Sequence, residues 1–144
     1  MNKILKLGFH PGNHSDTVSL ALLLLRLAVG GLMLTHGYGK LLSLFSEEPI
    51  RFADPIGIGV TASLILAVFA EVFCSLLLIF GLASRAAAIP LLFTMWVAAF
   101  IVHAPDAFSR KELPLLYSAV YSALLLAGAG RFSYDYKIFR KQRT

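Results

Sequence analysis

The sequence predicts an all-α fold, a four-helix transmembrane bundle with both termini cytoplasmic, on three observations. Of the 144 residues, 58% are hydrophobic and the mean hydropathy is +0.75, which leaves no room for a separate soluble domain. Four apolar stretches each have about the 17 to 25 residues that cross a hydrocarbon core. Arg26 and Glu71 are the only formal charges inside these stretches, 18–38, 60–84, 86–104 and 113–130.

The first helix is expected over 17–39. Lys3 and Lys6 precede it as in a signal peptide, but the apolar run is too long, Arg26 interrupts it, and no small-x-small cleavage site follows. It should be retained. The segment 41–57 holds Leu41, Leu42, Leu44, Phe45, Ile50 and Phe52 among charges and two prolines. It is too short and broken to span, so it should lie in the interface and cover the mouth of the bundle. Further helices are expected over 58–84, 86–104 and 112–130, followed by a basic tail, 131–144, so that 1–144 forms one membrane domain.

Charge placement orients the bundle. With four crossings, the side holding the termini carries Lys3, Lys6, Arg85, Arg131, Lys137, Arg140, Lys141 and Arg143, and the other side carries Lys40, Arg51, Arg110 and Lys111. The positive-inside rule then puts both termini in the cytoplasm. Anionic lipid headgroups account for the net charge of +5, and no nucleic-acid partner is expected. Cys74 is the sole cysteine, which excludes an internal disulfide, a CxxC redox pair and a cysteine-ligated cluster; it reads as a small apolar filler. There is no phosphate-binding glycine loop and no internal repeat.

A charge at bilayer mid-depth is costly, and each of the two lies near the middle of its stretch, so Arg26 and Glu71 are expected to pair. The first helix closes on His36-Gly37-Tyr38-Gly39-Lys40, where at 100° per residue Arg26, His36 and Lys40 can share an interior sector. His103 ends the third helix and Glu112 begins the fourth on the same side. His36, Lys40, His103 and Glu112 should therefore gather at the outer mouth, in a cavity leading inward to Arg26 and Glu71. Glu112, Ala119 and Ala123 project in one direction, a small-residue face expected to pack on neighbouring helices. Tyr117 and Tyr121, on the opposite side, are expected to face lipid or a partner, and Met95 and Trp96 to pack. His36, His103 and Glu112 lack tight ligand spacing, so no metal centre is expected. The plainer reading of Arg26 with Glu71 is an ion pair that fixes register, and of the histidines, interfacial hydrogen bonding.

The pattern resembles the DoxX-like membrane proteins. The matching residues are Arg26 and Gly30, His36-Gly37 with Lys40, Glu71 with Gly81 and Arg85, Met95 and His103, Glu112, and Gly128 and Gly130 leading into Ser133-Tyr134-Asp135. Together they cover about 18–136; the final motif more often reads Ser-Leu-Asp, and Tyr134 departs from it. The resemblance implies a small bacterial inner-membrane protein, some of whose relatives are associated with quinone-linked oxidation of thiosulfate and others with complexes handling thiol or oxidative stress. It implies a redox-complex subunit that binds a quinone non-covalently among Arg26, His36, Lys40, Glu71, His103 and Glu112, with a soluble partner bringing the redox centre. Whether the chain itself catalyses is left open. Two alternatives stand beside this one: an anchor or scaffold without a site, and a small-molecule or ion carrier. A carrier of four helices without a repeat would need a homo-oligomer to rock against.

Overall fold

The computed structural model describes residues 8–46 and 49–141, so the expectations on Lys3, Lys6 and Arg143 fall outside the described residues. The described residues are helical, without strands. The long helices are α1 (Asp16–Leu44), α2 (Val60–Phe80), α3 (Ser84–Val102) and α4 (Phe108–Ala127), and a short α5 (Tyr134–Lys141) follows. The first three are long and apolar enough to cross a membrane. α4 opens on Arg110, Lys111 and Glu112 before its apolar run.

Ser15 caps α1, its hydroxyl accepting the Val18 N–H at 3.3 Å. α1 then buries Ser19, Leu22, Arg26, Val29, Gly30, Met33 and Gly37, a spacing of three and four that sets one face inward. It runs on to Leu44, so the start of the predicted interfacial segment is helical. α1 and α2 pack closely because Gly30 lies under Ile79 and Gly37 under Glu71 and Val72. α2 ends at Gly81, whose φ of +67° suits the left-handed C-cap; Gly81 and Leu82 N–H groups donate to the Leu78 and Leu77 carbonyls.

The core joins α1 to the later helices through Leu22, Met33, Cys74, Leu78, Leu91, Met95, Tyr121 and Leu124. Cys74 is buried and free. Trp96 does not pack inward; half its surface is exposed, beside the outward Phe93 and Phe100. Helix α4 also sits the other way round from the sequence expectation. Pro114, Tyr117, Ser118, Tyr121 and Leu124 are buried, while Glu112, Ala119 and Ala123 are exposed. The tyrosines bury far more apolar surface than the alanines, which decides the rotation of the helix.

Candidate functional site

Helices α1 and α2 run antiparallel with a large axial offset. Arg26 is level with Gly81 and Gly37 with Glu71, so the two charges expected to pair lie about 16 Å apart along the helices. Arg26 and Glu71 do not pair. Arg26 is fully buried near the tail end, where Nη1 donates to the carbonyls of Leu78 at 3.0 Å and Ile79 at 3.4 Å, and Nη2 donates to that of Phe132 at 2.7 Å. Those carbonyls lie at the C-terminus of α2 and in the turn before α5, where a cation is favoured.

Around Arg26 the tail end is tied together. Asp135 accepts the N–H groups of Ala83 at 2.7 Å and Ser84 at 3.0 Å, so a side chain from α5 caps α3. Burial pushes the Asp135 carboxyl above the usual range, outweighing these bonds and the charge of Arg26. Ser133 caps α5 by accepting the Tyr136 N–H, Arg85 Nε donates to the His10 carbonyl at 3.0 Å, and the Gly130 N–H donates to that of Pro11 at 2.7 Å. A Cβ at Gly81 would stand 2.2 Å from Arg26 Nη1. Arg26, Gly81, Arg85, Gly130, Ser133 and Asp135 all take part in this architecture.

At the opposite, loop end, Glu71 finds a different cation, Lys40. Lys40 Nζ donates to Glu71 Oε1, with the lysine side chain 31% exposed and the glutamate 3%. Glu71 lies in a π-helical stretch of α2, Phe69–Cys74, and a second such stretch, Ala98–Val102, delivers His103 from α3. Wide turns of this kind often accompany functional sites because they re-aim a side chain. Lys40 also lies over the Phe52 ring, 5.7 Å from its centroid.

Two cavities meet at the pair. The larger, about 490 Å³, lies between α2 and α3, with Phe52, Ala53, Pro55 and Ile56 of the loop in its wall. The smaller, about 230 Å³, lies among α1, α3 and α4, lined by Met33, His36, Met95, Arg110 and Tyr117. Lys40, Glu71, Ala98 and His103 line both. The structure thus brings His36, Lys40, Glu71 and His103 together and leaves out Arg26, at the other end, and Glu112, exposed on the outer face of α4.

The polar atoms are unevenly satisfied. Glu71 Oε2 and the Tyr121 hydroxyl are buried without a hydrogen-bond partner, as is Arg26 Nε at the tail end. His103 Nδ1 lies 2.8 Å from Asp106 Oδ2; a carboxylate only accepts, so Nδ1 carries the proton and Nε2 remains for another partner. That bond leads the causes that hold the Asp106 carboxyl below its usual range. His36 meets Tyr117 edge to face at 6.4 Å, and Tyr117 stacks on Tyr121 at 5.9 Å. Among the described residues no three His, Cys, Asp or Glu side chains could hold a metal ion.

Sequence reasoning missed Arg110, Asp106 and Tyr117. Asp106 had a signal, three positions after His103 and near Pro105 in a turn. Tyr117 had one too, in the Pro114, Tyr117, Tyr121, Leu124 stripe. Arg110 had none.

Residues 21–104 match the DoxX family. An uncharacterised protein of Haemophilus influenzae is 34% identical over 125 residues, covering 81% of this chain and 90% of its own length. No solved structure matches the chain.

Proposed function

The chain belongs to the DoxX family of membrane proteins, and we propose that within it this protein is a multi-pass subunit of a redox-linked assembly in the bacterial inner membrane, holding a quinone-class ligand beside Lys40, Glu71 and His103. The observation that carries the reading is the Lys40–Glu71 ion pair at the junction of two cavities, with Glu71 Oε2 buried and unpartnered. Ionisable groups inside a membrane span are retained for function more often than for stability, and a buried acceptor without a donor is costly unless a ligand or water completes it. Arg26 and its ties explain scaffolding at the tail end; they do not reach the loop end.

A bound quinone would supply ring oxygens that accept from Lys40 and, once reduced to the quinol, hydroxyls that can donate to Glu71 Oε2. The Lys40 ammonium offers donors to such an oxygen, and Glu71 fixes the ammonium in place. Asp106 orients the His103 ring, so that Nε2 takes up or releases a proton toward the cavity. His36, beside Tyr117, is placed to serve the smaller cavity. In this reading a soluble thiol, sulfur or oxidative-stress partner brings the redox centre.

The excess of basic residues at the tail end supports cytoplasmic termini, and α4 would make a fourth crossing with Arg110, Lys111 and Glu112 in the interface and its apolar run after them in the bilayer. The test is co-purification. Wild-type protein extracted in mild detergent should carry quinone, and Lys40→Ala and Glu71→Gln should lose most of it while keeping the fold. Wild type without quinone, and without a thermal shift on adding it, would leave the scaffold reading.

A further inference from the structure

We infer that the ligand reaches Lys40 and Glu71 sideways from the bilayer, through a gap between the loop-end halves of α2 and α3, and that its apolar chain rests in that gap. The inference rests on the headgroup site just described and names the class of molecule it takes: a neutral amphiphile with a hydrogen-bonding head and a long hydrocarbon chain.

The gap follows from how the helices pack. α2 packs against α1 along its whole length, but only its π-helical stretch and tail-end half also pack against α3; the loop-end half, Val60–Val68, stands away from α3. The change comes at Phe69–Cys74, and α3 carries its own π-helical stretch at the facing end. An extra residue per turn at these places redirects the helix axis, so the two helices diverge toward the loop end. The 490 Å³ cavity fills the divergence, within the size range of pockets for drug-sized ligands.

The walls of this cavity open outward. Leu66, Phe69, Phe93 and Val102 line it, and each keeps 42–54% of its surface exposed, although Glu71 at its inner end is 2% exposed. Side chains so exposed on membrane helices face lipid, which makes the opening lateral. On the loop side Phe52 and Ile56 form a partial roof, and Asp54 braces it by accepting the Ile58 N–H at 3.1 Å, the Gly59 N–H at 2.8 Å and the Ser63 hydroxyl at 2.7 Å. An apolar path from the lipid thus ends on the polar atoms of Lys40, Glu71 and His103, which is the shape and polarity of an amphiphile lying with its chain outward.

The test uses the full chain in phospholipid nanodiscs and two probes, a decyl-substituted benzoquinone and the same ring with methyl in place of decyl. After correction for partition into the bilayer, the decyl probe should bind at least tenfold more tightly. Val97→Trp, in the α3 wall, should weaken the decyl probe at least tenfold and leave the methyl probe unchanged. Leu66→Trp should do the same; Leu66 is half exposed, so this variant carries the test if Val97→Trp does not fold. Equal affinity of the two probes, or unaltered decyl binding in both Trp variants while Lys40→Ala abolishes it, would overturn lateral entry and leave the headgroup site standing. Failure of both probes to bind wild type would overturn the site as well.

Discussion

Lys40 and Glu71 are 31 positions apart in sequence, yet form one ion pair between α1 and α2 in which only the lysine touches the surroundings of the helices. The pair is therefore asymmetric. Removing Lys40 leaves a carboxylate that is 3% exposed, whereas removing the Glu71 charge leaves an ammonium on a flexible stem that can reach water.

Lys40→Met should accordingly cost about 3 kcal/mol, and Glu71→Gln about 1 kcal/mol, the smaller value reflecting the partial exposure of Lys40. Replacing both by Met should cost less than Lys40→Met alone. Thermal unfolding in a single detergent measures all three, and equal losses for the two single variants would refute a buried, lysine-dependent carboxylate.

The approach of α1 to Glu71 depends on Gly37. A Cβ there would stand 2.7 Å from Val72 Cγ2 and 3.0 Å from Glu71 Cβ, whereas one at Gly39 would meet nothing within 4 Å. Gly37→Ala should destabilise by roughly 1 to 3 kcal/mol through overpacking and weaken ligand binding by moving Glu71. Gly39→Ala should be neutral or slightly stabilising, since it only removes glycine from a helix. Paired thermal and binding measurements check the contrast.

Asp135 separates architecture from site. Asp135→Ala removes the acceptor of the Ala83 and Ser84 N–H groups and should cost about 1 to 2 kcal/mol. Binding of a quinone probe at the far end should stay within twofold of wild type. A large loss of binding with the fold intact would mean that the two ends are coupled.

Asp54 gives a pH dependence. Its carboxyl lies below the usual range, chiefly through the Ser63 hydroxyl and then the Gly59 N–H, so protonation is harder in the folded loop than in the unfolded chain. The roof therefore keeps its full bracing above about pH 4, the ordinary Asp value, and loses it as the pH falls through the lower folded value. Protection of the Ile58 and Gly59 amides from hydrogen exchange should drop over that acid range in wild type. In Asp54→Ala it should be low throughout.

Hydropathy sufficed to find the apolar helices, because a membrane crossing is written in length and composition. It also singled out His36, Glu71 and His103, since polar groups in such stretches are few, and helical spacing added Lys40; the same reasoning included Arg26 and Glu112, which lie elsewhere. The register between helices was not legible. α1 has 29 residues and projects well past the end of α2, where Ser19 meets Gly130, so two charges near the middle of their own helices stand at different depths. Nothing in the spacing of Arg26 or Glu71 records that offset. The rotation of α4 was readable and was misassigned: a face of small residues was preferred to the tyrosine stripe that carries the larger apolar surface.

The central claim is that Lys40 and Glu71 hold the head of a lipid-borne ligand, and a density map of protein purified in mild detergent from its native membrane tests it most directly. The account predicts a planar ring beside the pair, with an oxygen within hydrogen-bond distance of Lys40 Nζ and a chain running outward between Leu66 and Phe93. A well-resolved map in which Glu71 Oε2 meets only water or protein groups, with no ligand between α2 and α3, would contradict it.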